Sequence, residues 1–169
     1  MALIKPVRGI QPKFGTDCWL AENATIVGEV EMGDQCTIWF NAVVRGDVNY
    51  IKIGNKTNIQ DNATIHGTYE KAPTNIGNNV SIGHNAIVHG CTLKDEVLVG
   101  MGAIVMDNAV VEEGAIIAAG AVVLQNTIVE ANTIYAGVPA KKVKTVGPEN
   151  REMQSRIANN YIKYANWFK

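Results

Sequence analysis

Apolar residues recur every six positions over most of this chain, with three interruptions of the phase. β-branched residues dominate the series, and glycine or small polar residues separate its members. A period of six fits neither the 3.6-residue repeat of a helix nor the two-residue alternation of a half-buried strand. The eighteen positions of the series, called rungs below, are Ile26, Met32, Ile38, Val44, Ile53, Ile59, Ile65, Ile76, Ile82, Val88, Leu93, Val99, Val105, Val111, Ile117, Val123, Val129 and Tyr135.

This pattern resembles the hexapeptide-repeat family, whose chains wind into a left-handed parallel β-helix with a triangular cross-section. The resemblance covers about residues 12–140 and implies the handedness, since ordinary parallel crossovers are right-handed. Each face takes one unit of six, so eighteen rungs predict an all-β, single-stranded β-helix of about six coils, spaced about 4.8 Å apart. A β-sandwich with irregular strands is the alternative, but it would not keep so many positions in phase.

The sequence changes character after the repeat. Pro148 begins a segment with apolar residues every three to four positions, which is typical of an amphipathic helix. We therefore expect a β-helix domain over 1–140, including an N-terminal cap over 1–23, and then a linker and helix over 141–169 that packs along the prism. The apolar positions of this helix are Met153, Ile157, Tyr161, Tyr164 and Phe168.

Composition narrows the classes of partner. The 169 residues are 47% hydrophobic and 18% charged with a net charge of −1, so no basic stripe would attract nucleic acid or an anionic membrane.

The N-terminus lacks the uninterrupted apolar stretch of a secretory signal and no run reaches transmembrane length, which predicts a cytoplasmic protein. Cys18, Cys36 and Cys91 lack the spacing of a disulfide framework or a thiolate zinc site.

All three histidines of the chain, His66, His84 and His89, fall in one 24-residue window. Their raw spacing suggests that His66 and His84, 18 residues apart, stack on adjacent coils. After Ile65, however, the next rung is 11 residues away, which is one step of six plus a five-residue loop. Counted in steps, Ile65 and Val88 lie one coil apart on the same face. We therefore expect His66 to stack on His89, because each directly follows its rung.

The same count assigns the polar residues to two half-sites on different faces of the prism. One half-site contains Arg45, Asp47, His66 and His89, and the other contains Gln60, Asp61 and His84. Two faces of one prism cannot converge on a point outside it. We therefore expect three chains to pack around a threefold axis as a homotrimer with three shared sites.

Three neutral imidazoles would bind zinc and leave one tetrahedral position open for water, whose pKa zinc lowers to about 7. Three histidine ligands do not select the metal, so Fe²⁺ and Co²⁺ remain candidates. Arg45 and Asp61 are expected to form an ion pair across the interface, with Asp47 holding Arg45, and Gln60 could orient the hydroxide or a substrate oxygen. Taken singly, each residue also fits an ordinary surface hydrogen bond or ion pair of little energy.

Two stretches, "VVRGDVNYIKIGNKTNIQDNATIHG" and "SIGHNAIVHG", resemble the γ-class carbonic anhydrases and their relatives once named ferripyochelin-binding proteins. Arg45 and Asp47 match the family's interface Arg-x-Asp, and Gln60 and Asp61 match its Gln-Asp pair. The histidines match its metal ligands. The resemblance implies a trimer that catalyses reversible hydration of CO2 to bicarbonate by metal-bound hydroxide at subunit interfaces.

The sequence departs from the best-known active members at two glutamates implicated in moving the proton off metal-bound water. After the Arg-x-Asp stand Val48, Asn49 and Tyr50, and in the short loop after His66 the only acid is Glu70. Glu70 and Tyr164 are the remaining candidates for proton transfer. Two alternatives stay open: a hexapeptide-repeat acyltransferase that uses acyl-CoA and one histidine as general base, and a catalytically weak metal-binding homologue.

Overall fold

A computed structural model describes residues 1–168, and Lys169, the last residue of the expected C-terminal segment, lies outside them. The chain forms a left-handed parallel β-helix with one C-terminal helix, as predicted. The helix α1 spans Pro148–Ala165 and continues into a 3₁₀ turn over Asn166–Phe168. The strands β1 to β20 are, in order, Leu3–Lys5, Lys13–Phe14, Trp19–Leu20, Thr25–Met32, Thr37–Ile38, Val43–Ile53, Asn58–Ile59, Thr64–His66, Thr74–Ile76, Ser81–Ile82, Ile87–His89, Thr92–Leu93, Leu98–Val99, Ile104–Val105, Val110–Val111, Ile116–Ile117, Val122–Val123, Ile128–Val129, Thr133–Ala136 and Lys141–Thr145.

Three columns of paired parallel strands form the faces of the prism. Face A contains β1, β8, β11, β14 and β17, face B contains β2, β9, β12, β15 and β18, and face C contains β3, β5, β7, β10, β13, β16 and β19. The long strands β4 and β6 pass around a corner, so each contributes to faces A and B. The last strand, β20, pairs antiparallel with β19 in a segment expected to be a linker.

The β-helix has about seven turns rather than about six. The additional coil comes from β1, β2 and β3, in the segment expected to be an N-terminal cap. Ile4, Phe14 and Leu20 pair with the rungs of the next coil. The period of six is hidden in this coil because Ile4 and Phe14 are ten residues apart, with a Val7–Ile10 bridge between them.

Two inward columns fill the prism. All eighteen rungs are buried, with at most 8% of any residue exposed. The sequence interpretation missed the second column, which lies two positions before the rungs and consists mostly of small residues, with Ile51 the largest. Many of its members are fully buried small residues, because most corners of the prism leave little room for a side chain: Ala24, Cys36, Ala42, Ala63, Ala86, Ala103, Ala109, Ala115 and Ala121.

The chain turns its corners through residues in the left-handed region, three positions before a rung. Asn62 and Asn85 adopt φ values of 61° and 59° at the corner between faces C and A. Asparagine tolerates this conformation better than most residues. Asp61 and His84 directly precede these turns, so both side chains lie at that corner.

The helix α1 packs along face C against β5 and β10. The residues that it buries are Gln154, Ala158 and Ala165, whereas Met153, Ile157, Tyr161 and Tyr164 of the expected apolar stripe are half-buried and Phe168 is exposed. The small alanines let the helix approach the strands closely, and the Tyr161 ring packs edge-on against Trp39, which follows β5, with 5.2 Å between the ring centroids. Within residues 1–168, no helix is long and apolar enough to cross a membrane.

Candidate metal centre

The structure places His66 directly opposite His89 in the pairing of β8 with β11. His66 Nδ1 lies 3.1 Å from His89 Nε2. The loop over residues 68–72, closed by a bridge between Thr68 and Ala72, contains the extra residues between the rungs Ile65 and Ile76. Because these residues lie outside the coil, His66 pairs with His89 and not with His84. His84 follows β10 on face C and does not join this stack.

Arg45 and Asp47 lie on the same edge of face A as His66. Arg45 Nη1 donates to Asp47 Oδ2 at 2.6 Å, and Asp47 Oδ1 lies 2.9 Å from His66 Nε2. Gly46, between them, has no room for a side chain, because a Cβ there would meet the Glu29 carbonyl oxygen at 2.5 Å. Partial desolvation raises the pKa of Asp47, but the hydrogen bonds from His66 and Arg45 outweigh it and hold the pKa below its ordinary value.

The second half-site forms where β7 and β10 pair, with Ile59 opposite Ile82. This register stacks Asp61 on His84, and His84 Nδ1 lies 2.8 Å from Asp61 Oδ2. The other carboxylate oxygen of Asp61 accepts a hydrogen bond from the backbone N–H of Phe40 at 3.2 Å.

Gln60 is buried beside this pair. Its Nε2 donates to Asn58 Oδ1 at 3.0 Å, and Asn58 Nδ2 donates to Ser81 Oγ at 2.8 Å. Two strands of face C therefore fix the amide of Gln60.

A third aspartate, Asp107, was missed by the sequence interpretation. Asp107 Oδ1 accepts a hydrogen bond from His89 Nδ1 at 2.5 Å, and Asp107 Oδ2 accepts one from Thr68 Oγ1. Desolvation raises the pKa of Asp107, but the hydrogen bonds from Thr68 and His89 outweigh it and lower the pKa. Extending the step count by one coil would have found this residue, because Val105 is the rung paired with Val88 and Asp107 follows it by two positions.

One ring nitrogen of each histidine thus lies within hydrogen-bond distance of an aspartate, and the other ring nitrogen is available to bind a metal ion. This arrangement matches metal-binding histidines, which commonly donate their second ring N–H to a carboxylate. The two available nitrogens of the stack, 3.1 Å apart, are close to the separation of about 3.3 Å that tetrahedral zinc imposes on two nitrogens at about 2.0–2.1 Å each. The donor set therefore fits a zinc-class ion. Within residues 1–168 of a single chain, no three His, Cys, Asp or Glu side chains could hold a metal ion together.

A cavity of about 400 Å³ lies between α1 and face C, next to His84. Gln60, Leu98, Met101, Tyr161 and Tyr164 are among its lining residues. Burial raises the pKa of Tyr161 to about 12, with smaller contributions from the charges of Asp61 and Tyr164. The structure thus brings Tyr164 to the second half-site.

Two curated proteins are similar to this chain over most of its length. It is 36% identical to a carbonic anhydrase of Geobacillus kaustophilus, over 99% of this chain and 91% of that protein. It is 42% identical to the mitochondrial gamma carbonic anhydrase 2 of Arabidopsis thaliana, over 91% of this chain and 57% of the longer plant protein.

The chain belongs to the γ-carbonic-anhydrase-like family of hexapeptide-repeat proteins. A family described as bacterial transferase hexapeptide (six repeats) matches residues 90–125. The crystal structure of a hexapeptide transferase family protein from Anaplasma phagocytophilum superposes with a TM-score of 0.94 at 40% identity, covering 99% of this chain and 98% of that one. These names divide between two carbonic anhydrases and a transferase, so the residues of this γ-carbonic-anhydrase-like chain decide between the two activities.

Asn49 follows the Arg-x-Asp in this γ-carbonic-anhydrase-like chain and contacts the 68–72 loop. Asn49 Nδ2 donates to the carbonyl oxygen of Thr68 at 3.1 Å and so ties β6 to the 68–72 loop. Glu70 lies exposed in that loop in a left-handed conformation with φ of 51°. No hydrogen bond within residues 1–168 joins its carboxylate to a histidine.

Proposed function

We propose that this protein is a metal-dependent γ-type carbonic anhydrase that catalyses the reversible hydration of CO2 to bicarbonate. The observation that carries the proposal is the pairing of all three histidines with aspartates, which leaves three imidazole nitrogens for a metal. His66 and His89 would come from one subunit and His84 from its neighbour in a homotrimer. Separate half-sites on faces A and C support this sharing, because they cannot meet within one prism.

When bound, a zinc, iron(II) or cobalt ion would supply a Lewis acid that lowers the pKa of water to about 7. Asp47 orients the imidazole of His66, and Asp61 orients that of His84. Within a chain Arg45 pairs with Asp47 at 2.6 Å, and the ion pair from Arg45 to the neighbour's Asp61 is part of the proposed trimer interface. Gln60, fixed by Asn58, is assigned the role of orienting a substrate oxygen.

Proton export has one candidate residue at each half-site. Tyr164 lines the His84 cavity, whereas Glu70 lies on the exposed loop of the other half-site. Both remain candidates, and turnover depends on one of them or on solvent carrying the proton away.

The experiment loads metal-free protein anaerobically with zinc, iron(II) or cobalt and measures metal content, oligomeric mass and CO2 hydration. We expect a trimer with about one metal ion per chain and hydration in at least one metal form. His89→Ala should lose both metal and hydration. Wild-type protein that binds none of the three metals would contradict the proposal, and a loaded trimer without hydration would favour the weak metal-binding homologue.

An acyltransferase is the second candidate, favoured by the apolar cavity of about 400 Å³ beside His84. CO2 needs far less space than this. An acyltransferase would use His84 as general base and would not need His66 or His89. Acetyl-CoA binding with acyl transfer that survives chelation and His89→Ala would favour this candidate over the first.

A further inference from the structure

Asp107 holds the ring nitrogen of His89 that is not directed at His66. Because a carboxylate at 2.5 Å from His89 Nδ1 can only accept, the proton of the neutral imidazole lies on Nδ1 and its Nε2 carries the free lone pair. We propose that Asp107 is a positioning residue that fixes His89 in its metal-binding tautomer and orientation. The inference rests on the proposed function and extends it, since Asp107 lies outside both the Arg-x-Asp and the Gln-Asp motifs.

Thr68 fixes the position of the Asp107 carboxylate. Thr68 Oγ1 donates to Asp107 Oδ2, while the backbone N–H of Thr68 donates to the Ala72 carbonyl oxygen at 2.9 Å. With both oxygens engaged, the carboxylate cannot rotate without breaking a hydrogen bond. The loop that shifts the histidine register therefore also supports the carboxylate behind His89.

Gly90 provides the space for this contact. It directly follows His89 and adopts φ of 54°, and a Cβ there would lie 2.7 Å from Asp107 Oδ1 and 2.8 Å from Ala72 Cβ. The backbone around it is tied to both neighbouring coils, since Gly90 N donates to His66 O at 3.0 Å and Asn108 N donates to Gly90 O at 2.7 Å. Backbone hydrogen bonds to the coils on both sides of Gly90 thus hold Asp107 close to His89.

The test measures cobalt binding by the full-length protein, independently of catalysis. Metal-free wild type, Asp107→Ala, Asp107→Asn and Asp95→Ala are titrated with Co²⁺ against a competing chelator, and the visible cobalt spectrum and thermal unfolding of the metal-free protein are recorded. Asp95→Ala is the matched control, because Asp95 Oδ1 accepts a hydrogen bond from the Asn78 backbone N–H at 2.8 Å at a different corner, away from the histidines.

We expect Asp107→Ala to weaken cobalt binding by about 10–100-fold, the usual effect of losing such an outer partner, and to alter the cobalt spectrum. Asp107→Asn retains a neutral acceptor and should fall between Asp107→Ala and wild type. Asp95→Ala should match wild type in affinity and spectrum. If Asp107→Ala does not fold, Asp107→Asn decides: weaker binding with an altered spectrum supports the inference, and wild-type values overturn it.

The outcomes separate this inference from the proposed function. Cobalt bound equally by wild type and Asp107→Ala, with the same spectrum, would overturn the role of Asp107 alone. Wild type that takes up no cobalt would overturn the inference together with the metal site. Cobalt binding that depends on Asp107 in a protein without CO2 hydration would support the inference and contradict the proposed activity.

Discussion

A histidine can bind a metal through either ring nitrogen, so the partner of the other nitrogen decides which one faces the ion. The Nε2 of His66 contacts Asp47, whereas the Nδ1 of His84 contacts Asp61. The step count placed both aspartates beside their histidines and predicted the contact of Asp47 with Arg45, which the structure contains at 2.6 Å, but it did not predict the hydrogen bonds from the aspartates to the histidines. The hydrogen-bond partner of a carboxylate depends on side-chain rotamers, which a repeat period does not specify.

Tyr161 provides a prediction that concerns a single ionisable group. Burial, with the charges of Asp61 and Tyr164, raises its pKa to about 12. Because the folded state favours the neutral phenol, its stabilising effect is present below the unfolded pKa of about 10. It is lost as the pH rises toward 12.

We expect the difference in ultraviolet absorbance between wild type and Tyr161→Phe to titrate near 12 in the folded protein. The same titration in denaturant, where the phenol is exposed, is the control and should give a midpoint near about 10. A folded-state midpoint near that control value would contradict the burial of Tyr161 between α1 and face C.

At the scale of the coil and the helix, the period of six predicted the rungs because one large residue per unit must point inward. It did not predict the second column, since alanine, cysteine, threonine, valine and, at Ile51, isoleucine share those positions without one obvious class. The first coil was missed where the loop between Ile4 and Phe14 hides the phase. In α1, the three-to-four spacing identified the helix and a side that contacts face C, since the Tyr161 ring packs against Trp39. It did not identify Ala158 and Ala165, whose burial reflects close approach rather than hydrophobicity.

The second column makes a prediction about packing. Ala103 is fully buried two positions before the rung Val105, so Ala103→Leu should overpack the corner and destabilise the protein by about 1–3 kcal/mol. Met101→Leu is the matched control, because Met101 is 61% exposed and lies two positions earlier on the same turn. Thermal and denaturant unfolding of metal-free protein would measure both. Equal stability of the two variants would show that the corner at Ala103 accommodates a larger side chain, which would contradict the prediction.

At the scale of the whole molecule, the prism holds the two half-sites apart. His66 and His89 lie on face A, and His84 lies at the corner where face C ends. The turns at Asn62 and Asn85 separate these faces in adjacent coils, and the rungs on either side of each turn are fully buried. A metal centre built from all three histidines therefore requires a second copy of the chain.

Shared sites predict that two inactive variants restore one another. A His84→Ala chain keeps the His66–His89 pair, and a His89→Ala chain keeps His84, so a mixed trimer contains one complete interface out of three. Random mixing at equal amounts should give about a quarter of the wild-type sites in a closed trimer. Co-expression of the two variants, followed by measurement of bound metal and CO2 hydration, tests this number.

The control for this experiment mixes His66→Ala with His89→Ala. Both substitutions damage the same half-site, and a complete site needs both histidines from one chain, so no mixture of these two variants should regain metal. Restoration in this control would indicate nonspecific metal uptake. Failure of the His84→Ala and His89→Ala mixture to bind metal, although mixed trimers form, would contradict the shared site, because every such trimer must hold one intact pair facing one intact His84.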